Sequence, residues 1–363
     1  MTGKENISAV QIEFMMVPTI IGTGLLSIPA IATKLALHDM WLTPLFGAIT
    51  GYITVFIVWK IYKLYPTLTP YQYSEEILGK WIGKIVGLVF VFFYIQNCGL
   101  IVRQYSDFIT SNVMHETPLV AFSTTLLFIS GLAVRGGIEV VARSSVICSG
   151  IYIAGALVVL FIINKIDLGQ LLPFLENGPL PLIKGSMIHS SWYSEFFLLA
   201  FLLPYLNNQK AALKAGMKSV FYVMVLLFYV SFFVLTLFGL TSMNQLYPVY
   251  TMIRSLSLFG FFENFEVLVT AAWVLGNYVK TSVFLYVSCI GIAQIFRLSD
   301  YRLIVFPVCL LILLFSYWNV PNIVFLIHYM FTIQPFYFMI VQTFLPFVLL
   351  MVGMYRKKRR GNQ

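Results

Sequence analysis

Charged residues are scarce in this sequence of 363 residues. Asp, Glu, Lys and Arg together make up 10% of it, whereas an average soluble domain carries about 25%. Hydrophobic residues make up 60%, and no polar stretch is long enough to form a soluble domain. The scarcity of charge excludes a soluble globular protein. It predicts an all-α polytopic membrane protein in which residues 1–363 form one integral membrane domain.

Cysteine and histidine are also few, with four residues of each type. The cysteines all fall in apolar segments, where single buried thiols are more typical of packing than of disulfides or metal sites. The histidines show no metal-ligand spacing, and no nucleophile–base pair, phosphate-binding loop or zinc pattern is present in the sequence. The sequence therefore predicts a protein that is not an enzyme and that binds no metal and no cofactor.

Long apolar segments separated by polar loops divide the sequence into ten predicted transmembrane spans. A helical crossing needs about 20 mostly apolar residues. A shorter apolar segment, 322–331, is predicted to be a re-entrant or interfacial helix, and the loop 241–264 is predicted to include an interfacial helix. The ten spans cover residues 8–35, 42–64, 82–112, 119–134, 145–164, 186–206, 219–240, 265–296, 303–318 and 334–355.

Negative charge is in the minority, because 23 Lys and Arg residues outweigh 14 Asp and Glu residues. With ten spans, most of the cations fall on the side that holds both termini, including the basic run 356–360. Cytoplasmic loops of membrane proteins are enriched in Lys and Arg, so both termini are predicted to be cytoplasmic. Orientation in the bilayer and contact with lipid headgroups explain the positive charge better than nucleic-acid binding does.

Two glycines interrupt the middle of the first span, Gly22 and Gly24, with Thr23 between them. Glycine in a helix interior costs roughly 1 kcal/mol relative to alanine, and open backbone at membrane depth is tolerated only where it is buried in protein or lines a cavity. The pattern predicts a broken helix whose bare backbone N–H groups face a binding site. The alternative is a small-residue face that packs against another helix.

Polar residues are concentrated near the centre of span six, where Ser190, Ser191, Ser194 and Glu195 lie close together. Such residues at membrane depth usually face an interior cavity. If spans one to five and six to ten form two repeats, a second break is expected here, although no glycine lies in the segment. A pair of broken spans at corresponding places indicates a binding site near the membrane midplane.

Short motifs that occur along the whole sequence carry a resemblance to a known family. They are residues 21–29, 77–84, 117–118, 137–143 and 172–173. In these motifs the sequence resembles the B-subunit family of bacterial spore nutrient-germinant receptors, a branch of the amino acid–polyamine–organocation transporter superfamily. The Gly-x-Gly pattern is shared widely in that superfamily, whereas the loop 137–143 is more particular to the germinant-receptor branch.

The resemblance implies a five-plus-five inverted repeat like that of the leucine transporter, with broken helices one and six. Residues 1–164 would form the first repeat and residues 186–363 the second. It also implies a site for an amino acid or other small nutrient, and assembly with a lipoprotein subunit and a larger membrane subunit in the spore inner membrane. Sodium coupling is not expected, because the only acidic residue near Gly22 in span one is Glu13.

The predicted ligand site lies between the two breaks. The backbone N–H groups of Gly22, Thr23 and Gly24 would bind a ligand carboxylate, aided by the helix dipole. Because aromatic residues make up 17% of the sequence, ordinary core packing is the alternative role for the aromatic residues of span six. The facing wall would consist of residues from the middle of span six, namely Ser191, Trp192, Tyr193 and Ser194.

Two cations, Arg103 and Lys280, lie inside spans three and eight. In the superfamily that the sequence resembles, a sodium ion often sits between spans one and eight, so Lys280 is predicted to substitute for that ion. A buried ammonium needs a partner, and the alternative is that Lys280 pairs with Glu195 or with backbone carbonyls. Arg103 precedes Asp107 by one helical turn, which favours a local ion pair, although Arg103 could also reach the ligand site.

These features together predict a ligand-sensing membrane subunit. It would bind a small nutrient, with an amino acid as the favoured class, and pass the resulting shift in its gating equilibrium to partner subunits. The alternatives are a proton-coupled amino acid transporter and an ion conduit that uses the same cavity. The expected partners are the nutrient, the other receptor subunits and the lipid bilayer, and not nucleic acid.

Overall fold

A computed structural model describes residues 6–256 and 265–361 of the chain. These residues form fifteen α-helices, and the one β-type pairing among them is an isolated bridge between Ile7 and Leu206. The helices are α1 (Ala9–Ala36), α2 (Thr43–Leu64), α3 (Pro70–Leu78), α4 (Lys80–Asn112), α5 (Leu119–Arg135), α6 (Ile138–Val159), α7 (Pro179–Ser194), α8 (Leu199–Leu202), α9 (Ala212–Phe238), α10 (Pro248–Arg254), α11 (Glu266–Phe296), α12 (Val305–Trp318), α13 (Ile323–Thr332), α14 (Gln334–Met339) and α15 (Leu345–Gly361).

All ten predicted spans are helical in the structure. Seven helical segments of the described chain are long and apolar enough to cross a membrane, and the first of these, Ala9–Leu64, contains both α1 and α2. Span four corresponds to α5, a shorter apolar helix, and span six is divided between α7, α8 and two 3₁₀ segments. The protein is therefore a multi-pass membrane protein built almost entirely of helices, as predicted.

Helix α3 is missing from the sequence-based prediction. It begins at a capping box formed by Thr69 and Gln72, and it ends at Gly79, whose φ of 88° is a conformation that favours glycine. Helix α4 then turns back along it. A Cβ atom at Gly83 would collide with the backbone of Glu75, so the glycine allows α3 to lie directly on the start of α4.

The two segments predicted to lie at or re-enter from the membrane surface are helical and pack into the bundle. Helix α13 occupies the predicted segment 322–331, and its residues Leu326 and Met330 are buried. Helix α10 lies in the loop 241–264, where Met252 is fully buried. The rest of that loop, residues 257–264, lies outside the described residues.

Helices α1 and α11 form the centre of the bundle. Helix α1 packs against α6, α7, α9 and α11, and α11 also packs against α4, α5 and α6. Most residues of α1 and α11 are buried. Helices α5, α6 and α12, by contrast, expose apolar side chains such as Phe128, Ile147 and Leu310, which is expected of helices that face lipid.

Both ends of the described chain lie on the same side of the bundle, which we call the terminal face. The backbone N–H of Ile7 donates to the carbonyl of Tyr205 at 2.9 Å, and Lys357 Nζ donates to the carbonyl of Leu64 at 2.7 Å. These contacts tie the two chain ends to the ends of spans six and two. The other side, which holds Lys34 in the last turn of α1, is called the opposite face.

Candidate functional site

The first span does not break at Gly22, Thr23 and Gly24, so the prediction of bare backbone N–H groups is wrong. Helix α1 is continuous from Ala9 to Ala36, and the three residues are buried in its middle. Within a continuous α-helix, each of these N–H groups bonds the carbonyl one turn earlier. The backbone of α1 therefore cannot offer those groups to a ligand carboxylate in this conformation.

Close packing against α11 explains why α1 contains a glycine at position 22. A Cβ atom on Gly22 would lie 3.0 Å from the carbonyl oxygen of Gly276. The side-chain Nδ2 of Asn277 also donates to the carbonyl of Gly22 at 2.9 Å. Without a side chain between them, the two backbones approach closely, which supports the alternative interpretation of a small-residue packing face.

The side chain of Trp192 joins span six to span one. Its Nε1 donates to Thr23 Oγ1 at 3.1 Å. A Cβ atom on Gly24 would lie 3.0 Å from the same Nε1. The same Cβ atom would clash with Ile28 Cδ1 of the next turn, so a larger residue at position 24 would crowd both Ile28 and the indole ring that reaches Thr23.

Span six contains the interruption that span one lacks. The α-helix ends at Ser194, and a 3₁₀ helix, Glu195–Leu198, follows before the short helix α8. A 3₁₀ helix is more tightly wound than an α-helix, and within a longer helix it often marks a functional hinge. The second predicted break is therefore present as a change of helix type at Glu195, without an unwound segment.

Glu195 forms a buried ion pair with Lys280 of α11. Lys280 Nζ donates to Glu195 Oε1 at 2.9 Å and to Oε2 at 2.7 Å, and the two side chains are 1% and 2% exposed. The Phe284 ring lies 5.6 Å from Nζ. Charges at membrane depth are costly unless they are paired, and this contact is the alternative partner that the sequence suggested for Lys280.

A small cavity adjoins the ion pair. Its volume is about 20 Å³, which is enough for about one water molecule. Two polar atoms of lining residues, Asn97 Oδ1 and Tyr329 OH, are buried and have no hydrogen-bond partner among the described residues. The polar and aromatic side chains of the lining come from α1, α4, span six, α11, α13 and α14, and include Thr23, Asn97, Gln104, Trp192, Glu195, Lys280, Tyr329 and Gln334.

Four of the predicted site residues line this cavity, namely Thr23, Trp192, Glu195 and Lys280. Others lie close by with different contacts. Gly22 and Gly24 pack against neighbouring helices, and the Ser191 and Ser194 hydroxyls bond carbonyls of their own helix. Arg103 is held by Asp107 at 3.0 Å, as the local ion-pair interpretation predicts, and the Tyr193 ring stacks on Phe196.

Sequence reasoning named Arg103 in span three but missed Asn97 and Gln104 of that span, and it missed the contribution of span ten to the cavity. Gln104 Nε2 donates to the carbonyl of Thr23 at 3.1 Å and to Ser27 Oγ at 3.3 Å. Asn97 and Gln104 are two helical turns apart and so share one face of α4. Two amide side chains on one face of an apolar span are a signal that could have identified them.

Larger cavities lie on either side of the small one. On the opposite face, a cavity of about 280 Å³ is lined by Lys34 and shares Gln104, Leu326 and Met330 with the small cavity. On the terminal face, a basin of about 1210 Å³ is lined by residues such as Tyr205. The candidate site thus adjoins the cavity on the opposite face, with which it shares three lining residues.

Two solved transporters share this fold. A nucleobase-cation-symport-1 family transporter in a closed conformation with bromovinylhydantoin bound has a TM-score of 0.64 at 13% identity, covering 90% of this chain and 75% of that one. MhsT in complex with L-phenylalanine has a TM-score of 0.57 at 12% identity, covering 97% of this chain and 99% of that one. The chain therefore has the leucine-transporter fold that its sequence motifs imply.

Curated relatives and a family model give a consistent assignment. The chain is 26% identical to spore germination protein KB of Bacillus subtilis (strain 168), over 98% of this chain and 97% of that protein. It is 23% identical to spore germination protein YndE of the same strain, over 80% of this chain and 82% of that protein. The family model described as spore germination protein matches residues 6–324. This protein is a member of the spore germination protein family.

Proposed function

We propose that this protein is the membrane subunit of a nutrient germinant receptor, which binds a small nutrient and thereby triggers spore germination. The amino acids are the favoured class of nutrient. The observation that carries the proposal is the small cavity beside Glu195 and Lys280, where Asn97 Oδ1 and Tyr329 OH are buried and have no hydrogen-bond partner among the described residues. Buried polar groups are normally paired, so unpaired ones around a cavity suit a polar ligand.

Binding requires the helices around the cavity to move, because about 20 Å³ is too little space for a nutrient. Such movement gives the receptor its signal, since a ligand that fits only the expanded state shifts the equilibrium toward that state. The change of helix type at Glu195 is the natural hinge within span six. Family membership supports a role in germination, and not a role in metabolism.

The signal is then passed to other subunits of the receptor, a larger membrane subunit and a lipoprotein subunit. We place the assembly in the spore inner membrane, with both termini in the cytoplasm. The excess of basic residues on the terminal face supports this orientation, including the run that begins at Arg356. The basin on that face is then open to the cytoplasm.

The test is a germination assay on spores that lack the gene, complemented with variants and exposed to a panel of amino acids and sugars. Wild type should restore one nutrient response, whereas Gly24→Leu should not, because the new side chain crowds Ile28 and Trp192 beside the cavity. Gly150→Leu is the matched control, since among the described residues no atom beyond the adjacent turns of its own helix lies within 4 Å of a Cβ at Gly150. Full rescue by Gly24→Leu at wild-type protein level would refute this location of the site.

A transporter of amino acids coupled to protons is the second candidate, and an ion conduit through the same cavity is the third. The cavities of about 280 Å³ and 1210 Å³ on the two faces favour an alternating-access path through the small cavity. Uptake of labelled nutrient into vesicles with many turnovers per protein would identify a transporter. An ion current across the vesicle membrane would identify an ion conduit. Saturable binding without uptake, together with loss of germination on deletion, identifies a receptor.

A further inference from the structure

The ion pair between Glu195 and Lys280 stands at the wall of the cavity in which the proposed ligand would bind. We propose that this pair is an internal substitute for the ligand, and that a zwitterionic α-amino acid opens it by giving its ammonium group to Glu195 and its carboxylate to Lys280. This inference rests on the proposed function and adds two points. It states how the ligand is recognised and what keeps the site closed when no ligand is bound.

The first argument is charge. Glu195 and Lys280 hold one negative and one positive group in contact at 2.7 Å, both almost fully buried. An uncompensated charge cannot remain in such a place, so anything that separates the two must supply a new partner to each of them. An α-amino acid supplies both required charges, because its ammonium group and its carboxylate group are attached to the same carbon atom. An amine, a carboxylic acid or a neutral sugar leaves at least one of the two residues unpaired.

The second argument is space. The cavity has a volume of about 20 Å³, and even glycine is larger than the one water molecule that fits there. Because Glu195 belongs to span six and Lys280 to α11, opening their contact separates the two elements and enlarges the cavity where they meet. The closed pair and the bound ligand are then alternative occupants of the same place.

The third argument is the pair of buried polar atoms without partners. Asn97 Oδ1 is an acceptor, and the Tyr329 hydroxyl can act as a donor. An ammonium group bound to Glu195 has further N–H donors to offer to Asn97. A carboxylate bound to Lys280 has a second oxygen that can accept from Tyr329. A zwitterion in the cavity would thus give both atoms a hydrogen-bond partner, which they lack among the described residues.

The continuity of α1 strengthens the argument. In an unbroken helix the N–H groups of Gly22, Thr23 and Gly24 are already used. A ligand carboxylate must therefore find its donor elsewhere, and among the described residues Lys280 is the only cationic side chain that lines the cavity. Glu195 is the first residue of the 3₁₀ segment. Separation of Lys280 from Glu195 therefore acts directly on the part of span six that is not α-helical.

The experiment measures binding of each of the twenty labelled amino acids to the full-length chain in membranes, then competition by the amine and the carboxylic acid that match the best ligand, and by glucose. A single replacement leaves one charge buried alone, so the test variant is Glu195→Gln/Lys280→Met. The matched control is Arg103→Gln/Asp107→Asn, which removes another ion pair within a membrane span; neither of its residues lines the cavity.

We expect one class of amino acid to bind and neither half-analogue to compete at 100-fold excess. The test variant should fold and bind at least about 100-fold more weakly, because two charge-assisted contacts are lost, while the control binds normally. Amino acid binding that survives in the test variant would overturn the ion-pair proposal alone. Binding of glucose in place of amino acids, abolished by Gly24→Leu, would also overturn it and leave the receptor function standing. Binding of no probe would count against both.

Discussion

The side-chain amide of Asn277 links the two central helices at their closest approach. Its Nδ2 donates to the carbonyl of Gly22 in α1 at 2.9 Å and to the carbonyl of Trp273 in its own helix at 2.9 Å. The contact lies next to Gly276, whose backbone faces Gly22 without an intervening side chain. A polar clamp and a glycine contact thus hold α1 to α11 at the level of the candidate site.

Replacement of Asn277 should weaken this junction. We expect Asn277→Leu to lower the free energy of unfolding by about 0.5–1.5 kcal/mol, since it removes the hydrogen bond between helices. Ser282→Ala is the control, because the Ser282 hydroxyl donates to a carbonyl of its own helix. Denaturation of the purified protein in detergent measures both, and equal losses for the two variants would contradict the role of the clamp.

The contact between Gly22 and Gly276 should not tolerate a side chain. Gly22→Leu forces the backbones of α1 and α11 apart, so we expect a loss of about 1–3 kcal/mol or failure to accumulate in the membrane. The same change at Gly150, which has no neighbouring atoms within 4 Å of a Cβ, should be tolerated. Protein level and thermal stability are the measurements. Wild-type stability for Gly22→Leu would show that the two helices are not packed this closely.

The buried ion pair makes a prediction about stability that is separate from ligand binding. Glu195→Gln alone should destabilise the protein by about 3–5 kcal/mol, because it leaves the Lys280 ammonium buried without a charged partner. Adding Lys280→Met to the same protein should recover most of that loss, since no charge is then left unpaired. Thermal unfolding of the two variants tests this. A double variant that is less stable than the single one would contradict the pairing.

The hydrogen bond from Trp192 to Thr23 can be tested with a double-mutant cycle. Trp192→Phe and Thr23→Val each remove one partner, so their combined effect should fall short of the sum of the two by about 0.5–1.5 kcal/mol. Ser27→Ala replaces Thr23→Val in the control cycle, because the Ser27 hydroxyl donates within α1 and accepts from Gln104. Strict additivity in the first cycle would mean that spans one and six do not meet through these residues.

The sequence by itself determined the class of protein and the positions of the spans. Each apolar stretch must satisfy its own backbone hydrogen bonds in lipid, and this local requirement is visible in hydropathy alone. The excess of cations on the terminal face and the short motifs can also be recognised from the sequence without knowledge of the fold. The sequence also singles out four residues that line the small cavity, because each lies at or beside a polar or glycine position inside an apolar span. They are Thr23, Trp192, Glu195 and Lys280.

Only the tertiary structure decided how these positions combine. Glycines in α1 predicted a break, but packing of Gly22 against Gly276 compensates for their low helix propensity, so the helix continues. The interruption appears instead in span six, without glycine. Lys280 and Glu195 are 85 residues apart, and no local pattern states which buried charge meets which. That choice is made where helices pack, because each buried charge requires a partner that only the folded bundle can bring to it.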